Sequence, residues 1–467
     1  MGGIAGIYGQ RGSFEQLETM TAAIDHRGNI DQQWFLQTDT DHKSILFNGV
    51  LVNRETRSET MSDANYALEC YKTYGSRCTT KLEGTFAFAI HDPKLGLVLG
   101  RDSLGVVPLY FGQNDGTWYF ASEIKALADV VTQIEAIPPG ALYIINGTQQ
   151  KHFYSNRSSQ LETSGIAASK GEVEEAIRSE LGNSVERILD NATSMGVYLS
   201  GGLDSSIIAS IISEEIPGVK SFCVGMKGSP DLSHARLCAE KFGTDHYEYS
   251  YDLEDMLSVL PDVIYHLESY DMALVRSSIP NYMLARLASD HVDQVCSGEG
   301  ADELFCGYEY MKGLLPEQLL DETDSLLRNL HNTGLQRGDR MSGAFGLEAN
   351  VPFLSREMIQ LAHTIPPSMK INGQGVEKWI LRTAFADQLP PEVAKRKKQK
   401  FSIGAGSFSV LEDYAKVTYG DGLWAPGTVT PSGHRISTYE EGLYYDIFKS
   451  AFPQQTIEAT VGHTEFV

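Results

Sequence analysis

The six cysteines, at 70, 78, 223, 238, 296 and 306, form no Cys-x-x-Cys pair, no signal-peptide pattern opens the chain, and no apolar run reaches membrane length. A reduced, cytoplasmic protein with no membrane partner is therefore expected. Without a secretory signal, the glycosylation patterns at Asn146-Gly-Thr, Asn156-Arg-Ser and Asn191-Ala-Thr are chance matches. Basic residues are in deficit: 38 Lys and Arg against 61 Asp and Glu give a net charge of −23, which argues against nucleic acid as a general partner while leaving room for a local basic site. There is no Gly-x-x-x-x-Gly-Lys-Ser/Thr, which excludes the usual P-loop, and no Gly-x-Gly-x-x-Gly opening a helix to suggest a dinucleotide. Internal repeats and low-complexity segments are also missing. A chain of 467 residues exceeds one ordinary domain, and two are expected.

What is there centres on Gly196-Val-Tyr-Leu-Ser-Gly-Gly-Leu-Asp-Ser-Ser206, an apolar run that opens into a glycine-serine turn and then into Ile207 to Ile212. This reads as strand, tight loop and helix. Gly201 and Gly202 let backbone N–H groups converge, Ser200, Ser205 and Ser206 add hydroxyls, and the helix aims its positive end at the same spot. The result is a phosphate cradle. Asp204 inside it makes sense if Mg²⁺ sits between carboxylate and polyphosphate, so the implied ligand is a magnesium nucleotide.

Up to residue 155 the chain is β-rich, with short runs at Gly3–Tyr8, Ser44–Phe47, Thr85–Ile90, Gly96–Leu99 and Trp118–Phe120. Helical periodicity at Phe14–Ile24 and Asp63–Tyr74 is enough to cover two packed sheets in an αββα layering. Residues 156–171 turn to Ser, Thr, Gly and Ala and are read as the linker. From 172 to 467 helical and strand patterns alternate, as in a doubly wound parallel sheet. Its strands are expected at the cradle, at Ser221–Met226, His246–Ser250 and Val292–Ser297. The last opens into the acidic loop Gly298–Glu303, which parallel topology places near the cradle. Helices are expected at Asp231–Phe242, stopped by Gly243, and at Lys378–Phe385, followed by the basic run Lys395–Lys400.

The Ser-Gly-Gly-Leu-Asp-Ser-Ser run resembles the pyrophosphate loop of AMP-forming ATP pyrophosphatases, and most of all that of glutamine-dependent asparagine synthetases. Ser221-Phe-Cys-Val-Gly, Glu268-Ser-Tyr-Asp271 with Arg276, Ser297-Gly-Glu-Gly-Ala-Asp-Glu303 and Gly346-Leu-Glu-Ala-Asn-Val-Pro-Phe-Leu354 extend the resemblance over nearly the whole chain. It implies an Ntn-hydrolase-like N-terminal domain and an ATP-pyrophosphatase-like synthetase domain. ATP would lie between Leu199–Ser206, Val224 and Ser297-Gly298, with Asp204 and Asp302 toward Mg²⁺. A substrate carboxylate would attack the α-phosphorus, and an amine would then displace AMP. Lys398 matches the family lysine that faces transition-state charge, Glu299 would be the base for the amine, and Glu268, Asp271, Arg276 and Glu299 would meet the acceptor. The neighbours Lys395, Arg396, Lys397 and Lys400 read equally well as a solvated basic turn. A homodimer is compatible with the sequence.

The N-terminal domain departs from the family's chemistry. Gly2 stands where the family has its cysteine nucleophile, the family's Arg-Leu-Ser-Ile segment has no counterpart, Val50 replaces a glutamate, and Met61 replaces the glycine before Ser62-Asp63. The expectation drawn from these changes is a decayed, inactive glutaminase and a ligase that takes ammonia or a free amine. Ala273-Leu274, Asn350 and Ile403 depart in the acceptor region. Two alternatives are a β-lactam synthetase-like enzyme, against which Glu299 speaks, and a catalytically silent nucleotide-binding relative.

Overall fold

Short strands with one apolar side pair readily when each can hide that side against a second sheet, and this is how the first part of the chain folds. The computed structural model describes residues 2–35, 42–52, 60–147, 149–154, 169–190, 192–398, 404–406, 410–420, 422 and 424–463. The strands β1 (Gly2–Tyr8), β2 (Asn29–Phe35), β3 (Ser44–Leu51), β4 (Gly84–Asp92), β5 (Gly96–Arg101), β6 (Tyr110–Asn114), β7 (Thr117–Ala121), β8 (Glu135–Ala136), β9 (Ala141–Asn146) and β10 (Gln149–Tyr154) form two sheets. Their orders are β2-β1-β7-β6-β8 and β10-β9-β5-β4-β3. Ile4, Tyr8, Leu97, Leu99, Phe111 and Phe120 pack between them.

Two helices close the sandwich. α1 (Phe14–Ala22) sets Leu17 and Met20 against Ile7 and Tyr119 of the first sheet, and α2 (Asp63–Tyr74) sets Leu68 and Tyr71 against Phe86 and Phe88 of the second. Ser13 caps α1 in a capping box with Gln16, and the Ser62 hydroxyl accepts from Asn65 N at 3.3 Å, each such cap contributing ~1 kcal/mol. The αββα layering is thus as the sequence implies. Strands β2, β6, β8, β9 and β10 were not among the runs read from the sequence. β2 and β10 lie at sheet edges, where polar residues such as Gln149, Gln150 and Lys151 interrupt the apolar pattern.

The second part holds β11 (Met195–Tyr198), β12 (Lys220–Met226), β13 (Asp245–Tyr251), β14 (Gln294–Cys296) and β15 (Glu348–Asn350), in the order β13-β12-β11-β14-β15 with every pair parallel. Apolar residues of α3 (Lys170–Leu189), α4 (Leu203–Glu215) and α5 (Pro230–Phe242) join one core, among them Ile177, Leu181, Ile207, Ile212 and Cys238. Those of α6 (Leu253–Leu267) and α7 (Met272–Ser289) join another, with Val259, Ile264, Val275 and Ile279. α5 ends at Gly243 in the left-handed region, as predicted. The chain starts at the central strand, winds outward to β13 and returns on the other side at β14. The loops leaving β11 and β14 therefore diverge over one crevice, the place where an open parallel sheet binds its ligands.

The linker expected at 156–171 lies, up to residue 168, outside the described residues; Ser169 already caps α3. No helix of the described residues is long and apolar enough to cross a membrane. All six cysteines are free and buried.

Candidate active site

The loop after β11 is shaped from behind by two residues. Gly201 sits at φ +65°, and a Cβ there would come within 2.4 Å of the His234 backbone at the start of α5. Arg396 donates to the carbonyls of Ser200 and Gly201 at 3.3 and 3.0 Å and pairs with Asp231 at 2.5 Å. The loop's open side carries hydroxyls: Ser205 Oγ accepts from Ser200 N at 3.2 Å and lies 3.1 Å from Ser200 Oγ, which accepts from Gly202 N at 3.3 Å. No side chain caps the N-terminus of α4, so its first N–H groups face the crevice with a helix of 13 residues behind them. Gly201→Ala is expected to cost more than ~1 kcal/mol, since it combines a disfavoured φ with contact against backbone. A thermal melt of the variant checks this, and an unchanged Tm would show that the loop can relax.

The loop after β14 approaches so closely that a Cβ on Gly298 would lie 2.9 Å from Asp204. Charges of both signs meet between the two loops. Lys378 Nζ lies 2.6 Å from Asp204 Oδ2 and 2.6 Å from Asp302 Oδ1, and Lys398 Nζ lies 2.5 Å from Asp302 Oδ2. Burial opposes the Asp302 charge, yet the two ammonium groups outweigh it and hold this carboxyl at about 2. Burial likewise opposes the Lys398 charge, but Asp302 and Asp204 keep it above lysine's ordinary value. Asp204 Oδ1 is buried without a hydrogen-bond partner. A buried lone pair of a carboxylate, beside hydroxyls and helix N–H groups, is the donor chemistry that suits a hard divalent cation carried with a polyphosphate.

A cavity of about 460 Å³ joins these groups and is lined by Leu199, Ser200, Gly202, Asp204, Ser205, Val224, Ser297, Gly298, Glu299, Asp302 and Lys398, all expected from the sequence. Two expected members do not face it. Gly201 turns toward α5, and Ser206 is fully buried with its hydroxyl 3.2 Å from Cys238 Sγ, because its place in the first turn of α4 points it into the core. Glu299 is at the wall, ion-paired with Arg337.

The structure does not bring Glu268, Asp271 and Arg276 to this cavity. Glu268 accepts from Ile124 N at 3.0 Å and Lys125 N at 2.6 Å and pairs with Arg340 at 2.9 Å; Asp271 caps α7 by accepting from Leu274 N at 2.8 Å; Arg276 pairs with Glu440. Each is taken up by a structural partner. Arg396 is not part of a solvated turn, since its guanidinium is half-buried and paired with Asp231, whereas Lys395 and Lys397 are exposed. Lys400 and Ile403 lie outside the described residues. Lys378, Arg337 and Arg396 were missed as site residues, because nothing local in their sequence distinguishes them from a helix start or a basic surface.

The same cavity reaches the first domain, where Gly2, Asn48, Gly49 and Val50 line it; Met61 and Asp63 do not, and Asp63 Oδ2 accepts instead from Leu51 N at 2.9 Å. A Cβ on Gly2 would meet the Asn29 carbonyl at 2.5 Å. Between the domains runs a fully buried charge network. Arg27 donates to Gly2 O at 3.0 Å, to Glu123 at 2.7 Å and to Asp339 at 2.8 Å, and Arg340 reaches Glu123 at 3.1 Å and Glu268 at 2.9 Å. Elsewhere, His434, Glu441 and His463 bring one ligand atom each within 4.8 Å, but the two imidazoles stack face to face at 3.5 Å and 5°, so their lone pairs run parallel instead of converging.

Comparison with known proteins supplies the family context. Residues 176–325 and 317–422 match the family model described as Asparagine synthase, and residues 41–169 match the Glutamine amidotransferase domain. The "Asparagine synthetase [glutamine-hydrolyzing] 1" of Arabidopsis thaliana is 34% identical over 98% of this chain and 82% of its own length, and that of Brassica oleracea matches it in all three figures. The enzyme of the same name from Triphysaria versicolor is 33% identical over 90% of this chain and 76% of its own. These findings overturn the expectation of a glutamine-independent ligase with an inactive glutaminase. The first domain matches an amidotransferase model, and the relatives that align with nearly the whole chain are named as glutamine-hydrolysing. The lactam-forming and silent alternatives have no counterpart among these relatives.

Proposed function

The chain belongs to the asparagine synthetase family, a family of ATP-dependent carbon–nitrogen ligases that yield AMP and pyrophosphate, and from that premise we propose how its own residues perform the ligation. ATP occupies the cavity with its β- and γ-phosphates against Ser200, Gly202, Ser205 and the N-terminus of α4. Val224, Ser297 and Gly298 form the walls around the rest of the nucleotide. A substrate carboxylate attacks the α-phosphorus, forming an acyl-adenylate as the bond to pyrophosphate breaks. An amine then adds to the acyl carbon, and AMP leaves. Activation is needed because a bare carboxylate offers no leaving group for amide formation. Residues 1–155 and 172–467 are proposed as the two domains, with the second extended back to the start of α3 at Lys170, so that the linker expected at 156–171 ends before Ser169.

Lys398 stabilises the charge that grows on the phosphoryl oxygens and then on the tetrahedral carbon, acting as a fixed ammonium that needs no reorganisation. Glu299 takes the proton of the attacking amine. Mg²⁺ carried with ATP would be held by Asp204 and Asp302 and would supply neutralisation of phosphate charge. The observation that supports this reading most is the opposition of an uncapped helix N-terminus and two carboxylate–lysine pairs across the sheet's switch point.

The products test it. Turnover with aspartate and other amino-acid carboxylates, with glutamine and ammonium each offered as the nitrogen source, is expected to release AMP and pyrophosphate and to support exchange of labelled pyrophosphate into ATP. ADP and phosphate as products would overturn it. Glu299→Gln is expected to slow amide release more than pyrophosphate exchange, and equal losses in both would give Glu299 a positioning role.

A further inference from the structure

The Lys378 side chain is more constrained than a surface helix start requires. Its backbone sits at φ +50°, a region an L-residue with a long side chain adopts only when its surroundings over-determine it, and the residue is 1% exposed. Its stem passes directly over Gly307, where a Cβ would lie 2.2 Å from Lys378 Cε and 2.0 Å from Asp302 Oδ1. A side chain at 307 would close the slot. The ammonium at the end of that slot bridges two carboxylates from two different loops, at 2.6 Å from each, while Asp204 Oδ1 beside it has no hydrogen-bond partner.

Two carboxylates this close demand a cation between them. With Lys398 on the far oxygen of Asp302, the four groups are balanced two against two before any ligand arrives. We propose that Lys378 is a built-in placeholder. Its ammonium occupies the position between Asp204 and Asp302 that a divalent cation takes with the nucleotide, and so keeps those carboxylates from collecting a metal ion on their own. The inference rests on reading the cavity as the magnesium-nucleotide site. In the free protein the lysine neutralises the pair. When a nucleotide brings both a divalent cation and new negative charge, the ammonium gives up the position with no net cost in unpaired charge. Metal and nucleotide then enter together.

The expected consequence is the reverse of what loss of an ordinary site residue produces. Mn²⁺ binding to the full chain, followed by the loss of its free electron-spin signal, is expected to be weak in the wild type without nucleotide and at least tenfold tighter with a non-hydrolysable ATP analogue. Lys378→Met and Lys378→Gln are expected to bind Mn²⁺ at least tenfold more tightly than wild type in the absence of nucleotide. Adding Asp204→Asn to either should abolish that gain. Equal Mn²⁺ affinity of the wild type with and without the analogue would overturn the proposal, whatever the variants do. So would variants with a normal melting transition that bind Mn²⁺ no better than wild type. The readout does not depend on turnover. Wild-type pyrophosphate exchange, measured beside it, separates failure of this inference from failure of the functional reading.

Discussion

Lys398→Ala is expected to lower turnover by roughly 10²-fold or more while the KM for ATP changes little. The ammonium is 2.5 Å from Asp302 Oδ2, and although burial opposes its charge, that carboxylate and Asp204 hold it above lysine's ordinary value, so it is a cation at neutral pH. It lies at the cavity wall with 30% of its side chain accessible. In the reading proposed above, binding of ATP in its ground state draws on the cradle hydroxyls and the α4 N-terminus. On that proposal Lys398 is left for the charge that develops during the reaction. Lys398→Arg keeps the sign but spreads it over a planar fork, and only partial recovery is expected. Steady-state kcat and KM with pyrophosphate exchange provide the check. A rise in KM at unchanged kcat would assign the lysine to ground-state binding.

The contrast between Lys398 and its neighbours shows what the sequence carried and what it did not. A run of basic residues gives no local signal for which one faces a site, and only the resemblance to a family singled out Lys398. Arg396, two residues earlier, proved to be the strut of the cradle because Asp231 opens α5 beside it, 165 positions away along the chain. The end of α5 was readable because its cause is local: Gly243 acts within one turn, as Ser13 and Ser62 do at the starts of α1 and α2. The inner strands β11 and β12 were readable because they are buried and largely apolar along their length. Edge strands such as β10 were not, since half their residues answer to solvent. Glu268, Asp271 and Arg276 show the converse hazard. Their motif was recognised, yet their partners are Lys125, Arg340, the α7 backbone and Glu440, and none lines the cavity.

Arg340→Met is expected to be strongly destabilising, at about 3–5 kcal/mol, because it removes a cation shared by two carboxylates that have no access to water, leaving Glu123 to Arg27 and Lys125 and Glu268 without its close ion pair. Glu123 and Glu268 are 0% and 1% exposed, and each now has Arg340 within 3.1 Å. Glu268 would keep the N–H groups of Ile124 and Lys125, so part of the loss is expected to return in Arg340→Met with Glu268→Gln, which removes the carboxylate charge that has lost its close ion pair. Acid should expose the same network. Burial works against the Glu123 carboxylate, but Lys125 and Arg340, with His26 and Arg27, hold it well below the usual 4.5. The unfolded chain takes up that proton near 4.5 and the native protein does not. The contribution is therefore complete above that pH and is lost as pH falls toward the native value. Burial, with Lys125 and His26, lowers His266 from 6.5 to about 3, so stability already begins to fall below pH 6.5 as the unfolded imidazole protonates. Taking away the Arg340 charge raises both groups toward their ordinary values. The variant is thus expected to be far less stable at pH 7 and to show a shallower loss of Tm between pH 6.5 and 4 than wild type. Thermal melts across that range decide it: a wild-type Tm at pH 7, or a drop that is the same at every pH, would mean that Arg340 packs the interface without governing its charge.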